Sequence, residues 1–252
     1  MTTIAIVQAR MTSTRFPGKV LADLMGEPMV LRQLERVARS ALIDQIVLAT
    51  SSDPTDDVLA EIAAQNGIAV VRGDLNDVLQ RFIQVIDIYS PDVVVRLTAD
   101  CPLASPQVID KVIEYFQSSN ADYVSNTMSP TYPDGLDVEV MKAEVLRRVA
   151  QLSNDAAERE HVTLGVYRRP ELFLIENVEN DTDLSDLRWT VDTKDDFEFI
   201  RKIYEDLYPE NPNFDMDSVL DYLERNPESN RTAHDAKRNA ALDGIDTGVM
   251  NA

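Results

Sequence analysis

A loop that follows the first apolar run of the chain carries residue types that bind phosphate groups. Residues 8–19 read QARMTSTRFPGK and contain the cations Arg10, Arg15 and Lys19 with the small hydroxyl residue Ser13. Arginine can clamp phosphate oxygens through two N–H groups, and lysine acts as a point charge. The loop lacks the glycines of a dinucleotide fingerprint and is not a Walker A loop. We therefore predict a triphosphate-binding loop, with an ordinary connection bearing solvated cations as the alternative.

Two aspartates end apolar runs that lie far apart in the sequence. Asp100 closes the run VVVRLTAD, and Asp192 closes the run LRWTVD. In proteins, Mg²⁺ takes one or two carboxylates and completes its shell with water and substrate phosphates. The two aspartates can meet over one crevice if both runs are strands. The pair is therefore a candidate Mg²⁺ site, although each residue alone could be a helix cap or a turn residue.

Further charged residues follow the third apolar run and recur in the second half of the chain. Gly73 would allow close backbone approach of a ligand, whereas Asp77 could either contact that ligand or cap a helix. Asp137 and Glu139 stand two apart and would share one face of a strand. His161 could act as a general base, although a single histidine is more often a structural hydrogen-bonding residue. These positions are candidates for ligand contacts outside the loop.

Two residues with reactive or stacking side chains are assigned to the core. Cys101 adjoins Asp100, and a neighbouring carboxylate raises the pKa of a thiol, so we expect a small packing residue and not a nucleophile. Trp189 is expected to pack in the core and not to stack on a base.

Five apolar runs alternate with helical patterns in the first half of the chain. Strands are predicted at 4–9, 45–51, 68–73, 93–100 and 122–126, with helices at 28–40, 55–66 and 77–89 and another capped by Ser105. This rhythm predicts an α/β fold with a mostly parallel sheet covered by helices on both faces. Such sheets bind ligands outside the carboxyl ends of their strands. The segments that follow Ala9, Ser51, Gly73 and Asp100 should therefore converge on one crevice.

The second half of the chain is less regular. It predicts a turn and strand over 132–141, helices over 142–153 and 158–169, strands over 173–180 and 187–192, a helix capped by Thr193, and a last helix over 215–225. We expect one domain over 1–226. Because periodicity is lost from about Pro227, a polar and poorly ordered tail is expected over 227–252.

The composition limits the partners and the compartment of the protein. The 252 residues include 44 acidic and 24 basic side chains, and the formal net charge of −20 repels nucleic-acid backbones. Residues 1–22 nevertheless contain no acidic side chain, which favours an anion site there. No run approaches the ~20 apolar residues that span a bilayer, and the first residues lack the features of a signal peptide. With a single cysteine, these facts favour no nucleic acid, no membrane and a cytoplasmic location.

The order of the motifs is similar to that of one enzyme family. ARMTSTRFPGKVL resembles the opening of cytidylyltransferases that make CMP-activated 3-deoxy-octulosonic acid and CMP-sialic acids, and the likeness continues through VVRGDLNDVLQRF, RLTADCPL, YPDGLDVEVM, EREHVT and WTVDTKDDF. The Ala-Asp-Cys-Pro form around Asp100 fits the spore-coat polysaccharide biosynthesis protein F branch better. The resemblance implies a Rossmann-like nucleotide-diphospho-sugar transferase fold, a homodimer, and a strand and helix insertion at about 130–180 for acceptor binding and dimerisation.

The same resemblance implies roles for individual residues. It assigns the metal to Asp100 and Asp192, and catalysis to Arg10, Lys19, Asp100 and Asp192. Nucleotide contacts are expected from Ala9, Arg10, Ser13, Arg15, Lys19, Gly73, Asp77, Arg81 and Thr98. Acceptor contacts are expected from Tyr132, Asp137, Glu139, Glu158 and His161.

The expected reaction is attack by an oxygen of a sugar or sugar acid on the α-phosphate of CTP, with release of pyrophosphate. A metal-dependent glycosyltransferase that uses a nucleotide sugar is the alternative enzyme, and a non-catalytic nucleotide-binding protein is the third possibility. The three cations of residues 8–19 favour a triphosphate over a diphosphate sugar. Mg²⁺-dependent release of pyrophosphate separates the three.

Overall fold

The computed structural model describes residues 1–232, 238 and 244–248, which form a layered α/β structure. Its strands are β1 Thr3–Gln8, β2 Asp23–Leu24, β3 Glu27–Pro28, β4 Gln45–Ser51, β5 Ala69–Gly73, β6 Val93–Thr98, β7 Tyr123–Ser125, β8 Glu139–Lys142 and β9 Ile175–Asn177. Its α-helices are α1 Met29–Val37, α2 Asp57–Gln65, α3 Val78–Tyr89, α4 Pro106–Ser118, α5 Ala143–Leu152, α6 Ala156–Glu160, α7 Leu164–Tyr167, α8 Lys194–Leu207 and α9 Met216–Arg225. Short 3₁₀ helices cover Lys19–Leu21, Pro54–Asp56 and Pro227–Ser229.

Seven strands form one sheet in the order β5-β4-β1-β6-β8-β7-β9. β1 pairs in parallel with β4 and β6, β4 pairs in parallel with β5, and β7 pairs in parallel with β9. β8 runs antiparallel to its neighbours β6 and β7. The predicted mostly parallel sheet is confirmed. The carboxyl ends of β1, β4, β5 and β6 consequently meet at one edge, where such sheets bind ligands.

Apolar side chains cover both faces of this sheet. In β1, Ile4 and Ile6 belong to one buried cluster while Ala5 and Val7 belong to the other, because successive side chains of a strand point to opposite faces. Helices α1, α2, α4, α8 and α9 contribute to the cluster of Ala5 and Val7, and α3, α5 and α7 contribute to the opposite one. The predicted cover of helices on both faces is confirmed. Trp189 is fully buried in the first cluster, as predicted.

Polar residues at helix starts fix where several helices begin. The side chains of Asp77 and Ser105 each accept the backbone N–H three residues on, at the starts of α3 and α4. Thr193 forms a capping box with Asp196 at the start of α8. The predicted caps at Ser105 and Thr193 are confirmed. These caps satisfy backbone N–H groups that a helix leaves unpaired in its first turn.

The predicted strand over 187–192 is wrong. This segment passes the end of the sheet, where Arg188 makes one isolated bridge with Asp134 and Leu187 one with Thr232. Gly135 brings the two crossing loops close together: its φ is 110°, and a Cβ there would lie 2.7 Å from the carbonyl carbon of Trp189. An alternating apolar pattern therefore reflects burial of Trp189 here and not ladder pairing.

Three further elements are shorter than predicted, and the strand expected over 173–180 is reduced to β9 Ile175–Asn177. The helix expected over 158–169 is interrupted at Val162, whose φ of 45° is left-handed, so the segment forms α6 and α7. The strand expected within 132–141 begins only at Glu139, because the preceding residues turn around Gly135. The breaks at Val162 and Gly135 lie beside the ligand edge.

The described part of the expected tail contacts the domain. Pro227–Ser229 is a 3₁₀ helix, and the Arg238 guanidinium donates to the Tyr132 carbonyl at 3.1 Å. Thr247 is buried, and the Arg168 Nε donates to the Asp246 carbonyl. The rest of the expected disorder lies outside the described residues. In the part of the chain that the structure describes, no helix combines the length and apolarity required to cross a membrane.

Candidate active site

A cavity of about 430 Å³ opens at the sheet edge where β1 and β6 end. One wall is the loop that follows β1, and another is formed by residues that follow β6 and by the segment that ends at Asp192. The predicted convergence on one crevice is thereby confirmed for the segments after β1 and β6. Polar side chains line much of this cavity, as a site for a charged ligand requires.

The carboxylate of Asp56 anchors the backbone of the loop that follows β1. This carboxylate is fully buried, and its Oδ1 accepts the backbone N–H of Met11 at 2.7 Å. The turn is closed by the N–H of Gly18, which donates to the Met11 carbonyl at 2.9 Å. Gly18 has φ 74°, a conformation that costs glycine little. These two hydrogen bonds and the turn at Gly18 therefore hold the backbone of the loop in one conformation, and side chains of the loop line the cavity.

Arg10 and Arg15 remain available at the mouth of the cavity. Arg10 lies 3.6 Å from Glu160, and both side chains are nearly half exposed. Arg15, also nearly half exposed, lies 3.0 Å from Asp192 Oδ2. Exposed ion pairs are weak because water and salt screen them. An incoming polyanion can therefore recruit both guanidinium groups.

Lys19 lies between the two candidate metal aspartates. Its Nζ is 3.1 Å from Asp192 Oδ1 and 3.5 Å from Asp100 Oδ2, and it donates to the Val191 carbonyl at 2.6 Å. Burial alone would lower the pKa of Lys19, but Asp100 and then Asp192 outweigh it and raise that pKa. The ammonium is therefore turned towards the aspartates. A role of Lys19 at the phosphates stays a prediction.

The two aspartates differ in their surroundings. Asp100 accepts the hydroxyl of Thr98 at 2.6 Å, while Asp192 Oδ2 accepts from Arg188 Nη2 at 2.8 Å. Burial opposes ionisation of Asp192, but Lys19 and then Arg188 outweigh it and hold the pKa of Asp192 below its ordinary value. Asp192 is therefore a carboxylate at neutral pH. The two carboxylates contact the same ammonium and face the same cavity.

Cys101 shows the properties expected of a packing residue. Its side chain is buried, and burial followed by the charge of Asp100 raises the pKa of the Cys101 thiol well above its ordinary value. A thiol of this kind is a poor nucleophile at neutral pH. The prediction that Cys101 packs in the interior is confirmed, and its lack of reactivity stays a prediction.

Arg81 presents a buried cation beside the start of the loop, where its Nη1 contacts the same Ala49 carbonyl that accepts the N–H of Ala9. The side chain is only 2% exposed, its Nη1 and Nη2 make long contacts with the carbonyls of Ala49 (3.3 Å) and Leu75 (3.4 Å), and its Nε has no hydrogen-bond partner. Within residues 1–232, 238 and 244–248, no carboxylate lies at ion-pair distance from it. Burial and then the neighbouring Arg10 lower the pKa of Arg81, against the opposing charges of Asp56, Asp74 and Asp77. A buried donor set of this kind suits a ligand that brings its own acceptors.

A buried hydrogen-bond network forms the floor of the cavity. Glu139 Oε1 accepts from the hydroxyls of Tyr123 at 2.6 Å, Thr163 at 2.7 Å and Tyr167, while its Oε2 pairs with Arg96. Burial opposes ionisation of Glu139, but Arg96 and the three hydroxyls outweigh it and hold the pKa of Glu139 below its ordinary value. Arg96, Thr163 and Tyr167 thereby keep fixed positions at the cavity wall.

A second cluster of charges lies where residues 134–137 meet the segment of Arg188. Arg188 Nη1 donates to Asp134 Oδ2 at 2.7 Å, and Arg238 pairs with Asp137 and lies 3.9 Å from Asp134. Burial and then Asp137 raise the pKa of Asp134 to about 6, against the opposing charges of Arg238 and Arg188. Burial likewise raises the pKa of Asp137, which Arg238 opposes. This part of the cavity therefore contains two neighbouring aspartates, and Arg188 and Arg238 pair with them.

His161 stands at the cavity beside Glu160. Burial lowers the pKa of His161, and Arg96 and Arg10 act in the same direction against Glu160. The imidazole is therefore mainly neutral at pH 7, the form that can accept a proton. Its predicted role as a base stays a prediction.

The structure brings most of the predicted site residues together. Twelve line the cavity: Ala9, Arg10, Ser13, Arg15, Lys19, Arg81, Thr98, Asp100, Asp137, Glu139, His161 and Asp192. Gly73, Asp77, Tyr132 and Glu158 are not part of its wall. Asp77 caps α3 and pairs with Arg159, as its alternative assignment anticipated.

The other three residues outside the wall have structural surroundings. A Cβ at Gly73 would collide with the side chains of Gln84 and Arg81, so this glycine permits the close approach of α3. Tyr132 is buried in the core. Glu158 is enclosed and pairs with Arg168 and Arg169. The predicted ligand contacts of Gly73, Asp77, Tyr132 and Glu158 are thus not supported by their positions.

Sequence reasoning missed four charged residues of the site. Arg96, Asp134 and Arg188 line the cavity, and Asp56 supports the loop from outside it. Arg96 carries a signal that could have revealed it, because a charged residue inside the apolar run VVVRLT of a central strand needs a polar partner. The other three are recognisable only from contacts that are distant in sequence.

The carboxylates fit a magnesium ion bound jointly with a ligand. Among the described residues, no group of three or more His, Cys, Asp or Glu side chains is arranged to hold a metal. Asp100 and Asp192 supply two carboxylates within 4 Å of a common cation, Lys19. Two carboxylates completed by water and substrate phosphates are what Mg²⁺ prefers, so the donor set suits this ion.

Comparisons with known proteins agree with this geometry. A family model described as cytidylyltransferase matches residues 4–238. The spore coat polysaccharide biosynthesis protein SpsF of Bacillus subtilis is 34% identical over 89% of this chain and 95% of its own length. A solved cytidylyltransferase from Leptospira borgpetersenii is 29% identical, with a TM-score of 0.86 over 91% of this chain and 96% of that chain.

A solved CMP:2-keto-3-deoxy-manno-octonic acid synthetase in complex with CTP shares the fold. It is 18% identical, with a TM-score of 0.63 over 81% of this chain and 99% of that chain. The predicted Rossmann-like nucleotidyltransferase fold is confirmed by these likenesses. With a family model that matches almost the whole chain, the protein belongs to the cytidylyltransferase family.

Proposed function

We propose that this protein is a Mg²⁺-dependent cytidylyltransferase that joins CTP to a sugar or sugar acid and releases pyrophosphate. One observation carries the proposal: a single cavity brings the cationic loop after β1 opposite the two aspartates that share Lys19. The loop supplies donors for a triphosphate, and the aspartates supply ligands for its metal.

The protein's part in this reaction is positioning and charge neutralisation. Arg10 and Arg15 bind the β- and γ-phosphates, and Ser13 adds a hydroxyl donor. Asp100 and Asp192 would hold Mg²⁺, which would supply polarisation of the α-phosphate and balance charge on the leaving pyrophosphate. The acceptor hydroxyl oxygen attacks the α-phosphorus in line with the leaving group and passes its proton to a base, for which the neutral His161 is the candidate, and the new P–O bond forms as the P–O bond to pyrophosphate breaks.

Arg81 is the residue proposed to read the base. Cytosine presents O2 and N3 as acceptors, and the guanidinium of Arg81 is buried at the cavity with an unpartnered Nε. A site that leaves a donor unsatisfied discriminates strongly against ligands that cannot accept from it. At N3 this supports CTP over UTP, because uracil carries an N–H donor at that position.

The acceptor side is proposed to include Asp137, Glu139 and His161. Names of relatives support a sugar or sugar acid for polysaccharide synthesis: SpsF is a polysaccharide biosynthesis protein, and a solved neighbour makes CMP:2-keto-3-deoxy-manno-octonic acid. A homodimer and a cytoplasmic location belong to the same proposal. Light scattering after size-exclusion chromatography tests the dimer.

The test is a thermal-shift panel of CTP, UTP, ATP and GTP with and without Mg²⁺, followed by a pyrophosphate-release assay. A nucleotide at ~100 times its Kd stabilises the folded state by about 2.7 kcal/mol, so CTP with Mg²⁺ should raise the melting temperature most. Asp100→Asn should lose the Mg²⁺ dependence and pyrophosphate release. Asp57→Asn, at a more exposed aspartate outside the cavity, is the control and should retain both.

Two results separate the proposal from its alternatives. Nucleotide-sugar cleavage without pyrophosphate would indicate a glycosyltransferase. No response to any of the four nucleotides would overturn the proposed function.

A further inference from the structure

The ammonium of Lys19 has three partners inside the protein. It donates hydrogen bonds to the Val191 carbonyl at 2.6 Å and to Asp192 Oδ1 at 3.1 Å, and it forms an ion pair with Asp100 Oδ2 at 3.5 Å. The side chain is only 10% exposed, so water competes little for these contacts. Lys19 therefore acts as an internal cation shared by two carboxylates of the same cavity wall.

We infer that Lys19 competes with a divalent cation for Asp100 and Asp192 and so sets the metal affinity of the pair. This inference rests on the proposed metal site and adds a regulatory role for a residue of the loop. A cation that binds both carboxylates must displace the ammonium or bear its repulsion at close range in a partly buried site. Either way, the free protein binds metal weakly.

The position of Lys19 in the chain indicates how a bound nucleotide changes the competition for the two aspartates. It begins the short 3₁₀ helix Lys19–Leu21 directly after Gly18, at the end of the loop that carries Arg10 and Arg15. Phosphates bound in that loop offer the ammonium a new anionic partner. Nucleotide binding therefore frees the aspartates, and metal affinity rises when nucleotide is present, as linkage requires for two ligands coupled through one group.

Arg15 provides a matched comparison. It also contacts Asp192, at 3.0 Å from Oδ2, but it is 48% exposed and does not reach Asp100. If loss of any nearby cation tightened metal binding, Lys19 and Arg15 would be equivalent. If the shared contact is responsible, removal of Lys19 has the larger effect.

The experiment measures Mn²⁺ binding to the nucleotide-free protein by electron paramagnetic resonance of the free ion. Mn²⁺ is the probe because it takes the same oxygen ligands as Mg²⁺. Lys19→Met, which keeps the length of the side chain without its charge, should bind Mn²⁺ at least about tenfold tighter than the unaltered protein. Lys19→Arg should keep the weak affinity, and Arg15→Met should change the Kd by less than about threefold. Adding Asp100→Asn to Lys19→Met should abolish the gain.

An unchanged Kd in Lys19→Met overturns the inference, and so does an equal gain in Arg15→Met. If Lys19→Met does not fold, Lys19→Gln takes its place with the same expectation, because its amide can still donate to a carboxylate. Catalysis plays no part in this measurement. A protein that shows the tenfold gain but releases no pyrophosphate would therefore refute the proposed function and leave the role of Lys19 intact.

Discussion

Asp56 offers a sharp test of how the loop after β1 is held. The side chain is fully buried and is not part of the cavity wall. Its Oδ1 accepts the N–H of Met11 at 2.7 Å, and its Oδ2 accepts the N–H of Ser51 at 3.2 Å and the Ser51 hydroxyl. In Asp56→Asn, one acceptor oxygen becomes an NH₂ donor. Whichever way the amide turns, it faces a backbone N–H that then has no acceptor.

The cost follows from these contacts. A hydrogen bond to a charged group contributes about 1.5–3 kcal/mol, and a buried donor left unsatisfied costs about 1–3 kcal/mol. We therefore expect Asp56→Asn to lower the free energy of unfolding by about 3 kcal/mol. Urea denaturation followed by fluorescence of Trp189, the single and fully buried tryptophan, measures this change.

The control is Asp53→Asn, three residues earlier. Asp53 accepts from Thr55 at an exposed position, and asparagine is an equally good cap there, so the urea midpoint should hardly move. Asp56→Asn should also weaken CTP binding at a temperature where the protein is folded, because the loop loses an anchor. A loss of less than about 1 kcal/mol in Asp56→Asn would refute the assigned role of this carboxylate.

Three further outcomes follow from buried charges. Arg81→Met should raise the free energy of unfolding of the nucleotide-free protein by about 1 kcal/mol, because it removes a buried cation that has no carboxylate at ion-pair distance among the described residues. The same variant should lose the preference for CTP in the thermal-shift panel. A stable variant that keeps this preference contradicts base reading by Arg81. Burial and Asp100 raise the pKa of the Cys101 thiol, so Cys101 should resist alkylation by iodoacetamide at pH 8 in the native protein and react in urea. Mass spectrometry measures the alkylation, and rapid alkylation of the native protein would contradict this expectation. Glu139 has a folded-state pKa below its ordinary value, so its stabilising effect is complete at neutral pH and is lost as pH falls below about 4.5 through that lower pKa. Glu139→Gln should therefore cost about 3 kcal/mol at pH 7 and flatten the acid side of the stability profile in urea titrations at several pH values; an unchanged profile counts against the network.

Much of the fold follows from local patterns in the sequence. The strands at the centre of the sheet are continuous apolar runs because both faces are covered, and β4 coincides with the predicted 45–51. Helix caps such as Ser105 and Thr193 act within three residues, so the sequence reveals them directly. The alternation of these elements then determines which ends of the strands meet.

Contacts between distant segments are what the sequence does not reveal. Residues 187–192 have the apolar alternation of a strand, but a strand also needs a neighbour with free backbone groups, and this segment crosses the end of the sheet instead. The direction of Lys19 depends on Asp192, 173 positions away. Arg238 lies in the expected tail, yet its partner is Asp137. Each of these depends on tertiary packing that no local pattern encodes.

The charges of the cavity divide into two groups with different functions. Arg96 and Arg188 are nearly enclosed and each pairs with a carboxylate, Glu139 and Asp134, so a ligand can recruit them only by leaving a buried partner unpaired. Arg10 and Arg15 make only half-exposed contacts, and Arg81 has no ion pair within the described residues. The available positive charge is therefore concentrated at the loop and at the wall of Arg81, although the protein as a whole carries a net charge of −20. A ligand with a polyanionic end and a neutral acceptor-bearing end matches this distribution, and a nucleoside triphosphate has both.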